Sequence, residues 1–91
     1  MSYQILYADK VAKIDIPKIS SLYKIRIRKA IEFKLVTRPD LYGKPLRRTL
    51  KGYFKLRVGD YRIVFRIENK KVKILAIAHR KIVYEIISKR V

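Results

Sequence analysis

Cysteine and tryptophan are absent, histidine occurs once, and only seven side chains are acidic. Without cysteine there is no disulfide framework and no thiolate chemistry. A structural zinc site needs about four Cys, His or carboxylate ligands, and His79 stands alone. Two-metal nucleases cluster their carboxylates. Here Asp9, Asp15, Glu32, Asp40, Asp60, Glu68 and Glu85 form no cluster in the sequence. The three glycines make no loop of the kind that cradles a nucleotide phosphate. No metal and no small-molecule cofactor are therefore expected. No apolar run approaches the about 20 residues that span a bilayer, and Ile5-Leu6 is too short for a signal-peptide core. The expected setting is cytoplasmic, without a membrane partner.

Positive charge is what the chain has in excess, with a formal net charge of +17 on 91 residues. Charge of this sign bears on partners rather than on fold. Nucleic acid is the expected partner, because neutralising phosphates releases their counterions. The apolar fraction of 49% is too high for a disordered basic tail. Residues 1–91 are read as one domain that carries its cations on a structured surface.

The clearest pattern runs from Gly52 to Tyr84. Phe54, Leu56 and Val58 alternate with Tyr53, Lys55 and Arg57, which is strand periodicity. Gly59-Asp60 offers a two-residue turn. On the return, Tyr61, Ile63, Phe65 and Ile67 take one face and Arg62, Val64, Arg66 and Glu68 the other. A third strand, Val72 to His79, is expected after a turn at Asn69-Lys70. Val72, Ile74, Ala76 and Ala78 would share one face, with Leu75 and Ile77 on the other. Apolar residues on both faces mark a central strand covered on both sides.

The flanking segments complete the layout. Tyr3 to Tyr7 reads as a first strand with Tyr3, Ile5 and Tyr7 on one side. Asp9 is placed to cap a short helix towards Asp15, with Val11, Ala12 and Ile14 as its apolar edge. Pro17 breaks that helix or opens the next. From Ser20 to Val36, the spacing of Tyr23, Ile27, Ala30, Ile31 and Leu35 predicts an amphipathic helix. Thr37 to Pro45 has loop chemistry. Leu46 to Lys51 is irregular or the start of the sheet, and Ile82 to Arg90 predicts a final helix with Val83, Ile86 and Ile87 inward. The expected fold is α+β, in the order β-α-α-β-β-β-α. A helical hairpin packs on a small, mostly antiparallel twisted sheet, and a C-terminal helix follows.

Lys, Arg, Tyr and one His can cleave RNA without a metal, because the substrate supplies the 2′-hydroxyl nucleophile. The protein must orient the attack, take a proton, stabilise a phosphorane and serve the leaving 5′-oxygen. Arginine forks match phosphate oxygens. A basic sheet face also serves plain RNA or DNA binding. On that reading His79 is a structural hydrogen-bonder, Tyr84 packs, and Arg47, Arg48, Lys70 and Lys71 are solvated charges.

Leu56-Arg57-Val58-Gly59-Asp60-Tyr61-Arg62-Ile63-Val64-Phe65, followed by His79-Arg80-Lys81-Ile82-Val83-Tyr84, resembles the RelE toxins of the RelE/ParE superfamily. Ile16-Pro17, Arg38-Pro39 and Lys44-Pro45-Leu46 support the likeness, which covers nearly the whole chain. The resemblance implies a toxin of a type II toxin–antitoxin system that enters the ribosomal A site and cuts mRNA by 2′-hydroxyl attack. Growth arrest would follow from blocked translation. It implies a RelB-type antitoxin as partner, besides the ribosome with its rRNA and the mRNA. By position it assigns Lys55 to proton abstraction or phosphate contact and Arg62 to the phosphorane. Arg80 would hold the scissile phosphate or serve the leaving group, and Tyr84 would stack on a base or orient the 2′-hydroxyl. His79 is a secondary acid/base candidate. Arg57, Arg47, Arg48, Lys51, Tyr53 and Lys81 are the expected RNA-binding residues. Some relatives carry a lysine where Tyr53 stands, and in some the tyrosine lies farther beyond the late arginine. A ParE-like toxin that poisons DNA gyrase is the alternative within the superfamily, and a basic RNA-binding protein of ribosomal type is the alternative outside it.

Overall fold

Five strands form one sheet: β1 (Gln4–Tyr7), β2 (Lys44–Pro45), β3 (Tyr53–Val58), β4 (Tyr61–Glu68) and β5 (Lys71–His79), in the spatial order β1-β5-β4-β3-β2. The computed structural model describes residues 2–46 and 52–91. The expected RNA-binding residues Arg47, Arg48 and Lys51, and most of the Leu46 to Lys51 segment, lie outside the described residues. β1 runs parallel to β5, and the other neighbours are antiparallel. The Gly59-Asp60 hairpin forms as its sequence predicts, with Gly59 at φ 58°, where a side chain would be strained.

Alternation fails in one strand. Val64 pairs with Ala76 but Phe65 pairs with Ile74, so Leu75 is an extra residue in β5. A bulge of this kind reverses the facing of everything beyond it. Val72, Ile74 and Ile77 therefore join one core cluster, while Ala76 and Ala78 join the other with Leu75 beside them. The expectation that Val72, Ile74, Ala76 and Ala78 share a face is corrected on this point. The central, doubly covered position of β5 is as expected.

The helical hairpin covers one face of the sheet. Its first segment begins at residue 9 and passes through a wide turn over Val11–Asp15, where the Ile16 N–H bonds the Val11 carbonyl. A tight 3₁₀ turn follows at Ile16–Lys18, with Pro17 in it. The opening N–H groups of Val11 and Ala12 bond the Ala8 carbonyl, so Asp9 lies inside the turn rather than capping it. Helix α1 (Ser21–Ala30) starts on the Ser20 side chain, which accepts from the Tyr23 N–H. It continues into a second wide turn at Ile31–Leu35. Ile27, Ile31 and Leu35 are buried, with Tyr23 and Ala30 partly so. They pack on Leu56, Val58, Ile63, Phe65, Val72 and Ile74. Full burial of one such side chain contributes about 1.5–3 kcal/mol.

The expected loop from Thr37 to Pro45 contains structure. Pro39 starts a single helical turn, α2 (Pro39–Tyr42), where its fixed φ suits a first helical position. Lys44 and Pro45 then pair with Lys55 and Phe54. Proline is tolerated there because β2 is an edge strand. Gly43 joins the two elements in a space too small for a side chain. A Cβ there would lie 2.5 Å from the Phe65 ring and 2.8 Å from the Pro39 carbonyl oxygen.

Helix α3 (Val83–Arg90) covers the opposite face. Val83 and Ile87 are buried against Val64, Ala76 and Ala78, and Ile86 is partly buried. β1 stops opposite Ile74, so the outer edge of β5 beyond that point has no strand beside it among the described residues. Two side chains close it instead. The Asp15 carboxylate accepts the Ile77 N–H at 2.9 Å, and Arg90 donates to the Leu75 carbonyl at 3.1 Å. Arg90 also grips both Asp15 oxygens at 2.7 Å. This carboxylate, hydrogen-bonded to the guanidinium, raises the Arg90 pKa above its ordinary value. Because Asp15 turns inward, Ile14 is 40% exposed, against the expectation that it packs.

Candidate functional site

The second face of the sheet is only half covered. Helix α3 lies over the small side chains of β5 and leaves Lys55, Arg57 and Arg62 outside it. Tyr53, Lys55 and Arg57 share this face by alternation along β3, and register places Arg57 opposite Arg62. Tyr84, on the first turn of α3, reaches over to β3. The Lys55 Nζ donates to the Tyr84 hydroxyl oxygen at 3.1 Å and stands 5.7 Å from the ring centroid. Lys55 and Tyr84, 29 residues apart in sequence, are thereby brought together.

The Gly59-Asp60 turn orients two arginines. Arg62 donates to the carbonyl oxygens of Gly59 and Tyr61, each at 3.0 Å. Arg80 donates its backbone N–H to the Asp60 carbonyl at 2.8 Å, and its guanidinium lies 3.9 Å from the Asp60 carboxylate. That ion pair is exposed on both sides, so it contributes little and leaves Arg80 free to turn to a phosphate. The turn itself is braced from behind. The Tyr23 hydroxyl accepts the Asp60 N–H at 3.3 Å and would sit 2.6 Å from a Cβ at position 59. The helical hairpin thus braces the turn that holds both arginines.

Other expected residues are placed elsewhere. His79 pairs with Tyr61, whose ring packs into the helical-hairpin core. It therefore sits on the far face of the sheet from Lys55 and Arg62. Its Nδ1 accepts the Lys81 N–H at 3.2 Å. Lys81 is exposed in the turn before α3. Tyr53 shares the face of Lys55, but it packs against the α3 cluster with Arg66 5.3 Å from its ring centroid.

Three residues outside the expected set line the same groove. Lys34, Tyr42 and Lys44 enclose, with Lys55, Leu56, Arg57 and Arg62, an open groove of ≈ 320 Å³. Lys44 stands directly across from Lys55. The sequence offered one hint, Lys44-Pro45 leading into the sheet, but a two-residue strand has no period to read. The groove has no acidic residue in its lining. Asp15, Asp40, Asp60, Glu68 and Glu85 pair with Arg90, Arg38, Arg80, Arg66 and Lys89. Among the described residues, none of these pairs involves a groove cation. The described residues also hold no group of three or more side chains able to bind a metal ion. No described helix is long and apolar enough to cross a membrane.

Residues 6–84 match the family model described as the ParE toxin of the type II toxin–antitoxin system parDE. The chain is similar to the toxin RelG of Mycobacterium tuberculosis, 48% identical over 48 residues, which is 50% of this chain and 55% of that protein. It is also similar to the toxin RelE of the same organism, 42% identical over 52 residues, 55% of this chain and 54% of the other. The chain thus spans about half the length of the curated relatives it matches. Its fold is similar to the solved toxin–antitoxin complex RelBE2 of M. tuberculosis. The TM-score is 0.80 at 30% identity, covering 88% of this chain and 93% of the other.

Proposed function

This chain belongs to the ParE toxin family of type II toxin–antitoxin systems, and from its site and its similarity to the toxins RelG and RelE we propose that it is a metal-independent, ribosome-dependent mRNA endonuclease of the RelE type. The observation that carries the proposal is the Lys55–Tyr84 contact at 3.1 Å beside Arg57 and Arg62, in a groove lined by no carboxylate. A base-and-phosphate site for RNA needs little else, since the 2′-hydroxyl is the nucleophile.

The roles are those the family resemblance implies, and the contacts of Lys55, Tyr84 and Arg62 support them. Lys55 takes the proton of the attacking 2′-hydroxyl. Tyr84 holds the lysine and orients that hydroxyl. Arg62, fixed by two carbonyls, stabilises the charge gathering on the phosphorane, and Arg57 adds a second cation. Arg80 holds the scissile phosphate and donates to the leaving 5′-oxygen. The 2′-oxygen–phosphorus bond forms as the phosphorus–5′-oxygen bond breaks, leaving a 2′,3′-cyclic phosphate and a 5′-hydroxyl that takes its proton from solvent. His79 has no role in this scheme, because the sheet separates it from the groove. The site of action is the cytoplasm, where ribosomes are. A RelB-type antitoxin is the proposed partner, supported by the likeness to a toxin–antitoxin complex.

Primer extension on a defined mRNA with programmed 70S ribosomes tests the proposal. Cuts inside the A-site codon are expected, absent without ribosomes and absent in Arg62→Ala. Uncut mRNA together with gyrase-dependent DNA breaks in expressing cells would instead support the gyrase-directed reading that the ParE family name favours.

A further inference from the structure

We propose that Lys44, Lys34 and Tyr42 form a second RNA subsite, which takes the phosphodiester next to the scissile one and the base attached to it. The inference rests on the endonuclease reading and adds to its site a wall that no catalytic role uses.

The argument begins with cost. Lys44 and Lys55 are direct cross-strand partners, and so are Arg57 and Arg62. Like charges directly opposite one another destabilise a sheet. Two such pairs stand side by side at one edge, and no carboxylate lines the groove to relieve them. A bound polyanion relieves both. One phosphate is assigned to Lys55, Arg57 and Arg62. Lys44, across the strand, is left to bind its neighbour.

The edge itself supplies more. Leu46 donates its N–H to the Tyr53 carbonyl, so the odd-numbered residues of β3 turn their backbone groups outward. β2 begins at Lys44, opposite Lys55, and no described strand covers β3 from there towards Arg57. The Arg57 N–H therefore opens on the groove as a further donor to phosphate. Tyr42 is 43% exposed and carries the Lys34 Nζ 5.6 Å from its ring centroid. An aromatic face beside cations is the arrangement on which bases of single-stranded RNA stack. The groove is thus flanked by two lysine–tyrosine pairs, Lys55–Tyr84 at the reacting end and Lys34–Tyr42 at the other.

Binding rather than cleavage tests the subsite, so its failure is separable from failure of the endonuclease reading. Fluorescence anisotropy would follow a 2′-O-methyl RNA hexamer, which cannot be cut, and in a second arm 70S ribosomes without mRNA. Lys44→Gln is expected to weaken hexamer binding about tenfold and to flatten the log K against log[salt] slope by about 0.7, the loss of one phosphate contact on a single strand. Tyr42→Leu is expected to weaken it about tenfold with the slope unchanged. The same charge loss at Lys13, on the first helical segment, should change neither. Weakening on the hexamer supports the proposal, and weakening only on empty ribosomes assigns the phosphate to rRNA and overturns it. Unchanged binding in both arms, an equal effect of Lys13→Gln, or no binding by the wild type overturns the proposal.

Discussion

Lys55 and Tyr84 make the sharpest single-residue claim. The lysine is held by one hydrogen bond to a phenol, so Tyr84→Phe removes the acceptor and keeps the ring. That change should lower the single-turnover cleavage rate on programmed ribosomes about tenfold, the worth of one hydrogen bond of about 1–1.5 kcal/mol. Half-saturation should move little. Lys55→Ala removes the proposed base and should cost about 10²–10⁴-fold in the same assay. Gly59→Ala acts at one remove. It forces a side chain to φ 58° and into the Tyr23 hydroxyl, and it shifts the carbonyl that Arg62 holds. Cleavage should fall although no group that touches RNA has changed.

At the scale of elements, the closure of the β5 edge is the most consequential feature. Asp15 and Arg90 join the first helical segment, the central strand and the C-terminal helix. Both side chains are largely buried, so removing one strands the other. Arg90→Ala should destabilise the fold by about 3–5 kcal/mol, a drop of more than about 10 °C in Tm for a domain of this size. Asp15→Asn keeps an acceptor for the Ile77 N–H and should cost less, as calorimetry of the two variants would show. Gly43→Ala places a methyl against Phe65 and the Pro39 carbonyl. It should cost about 1–3 kcal/mol by overpacking and loosen β2, which carries Lys44.

For the whole molecule, charge decides behaviour. The net charge of +17 sits on a fold whose carboxylates are mostly engaged away from the groove, so a polyanion finds its cations free. With about five groove cations on a single strand, the salt slope should be near −3.5. A fourfold rise in salt should then weaken RNA binding about 100-fold. A salt titration by anisotropy checks this. A proposed antitoxin that covers the face should carry acidic residues and flatten the slope in the complex.

The sequence by itself determined most of the fold and suggested the class of chemistry proposed for it. The lack of cysteine, clustered carboxylates and a phosphate loop directed that proposal to cation and phenol chemistry. Period-two alternation in Tyr53 to Glu68 fixed which face of the hairpin is basic, and helical spacing from Tyr23 to Leu35 fixed the buried stripe. These patterns are legible because each is repeated along several residues of one element. Tertiary structure alone decided the rest. The bulge at Leu75 reversed the facing of Ala76 and Ala78, and no local signal marks a single inserted residue. Asp15 turned inward because Arg90, 75 residues away, arrives to neutralise it. His79 fell on the wrong side of the sheet for the groove, and Lys44 on the right side, through pairings between separate strands. Contacts between distant segments depend on register and packing, which the order of residues within one segment does not encode.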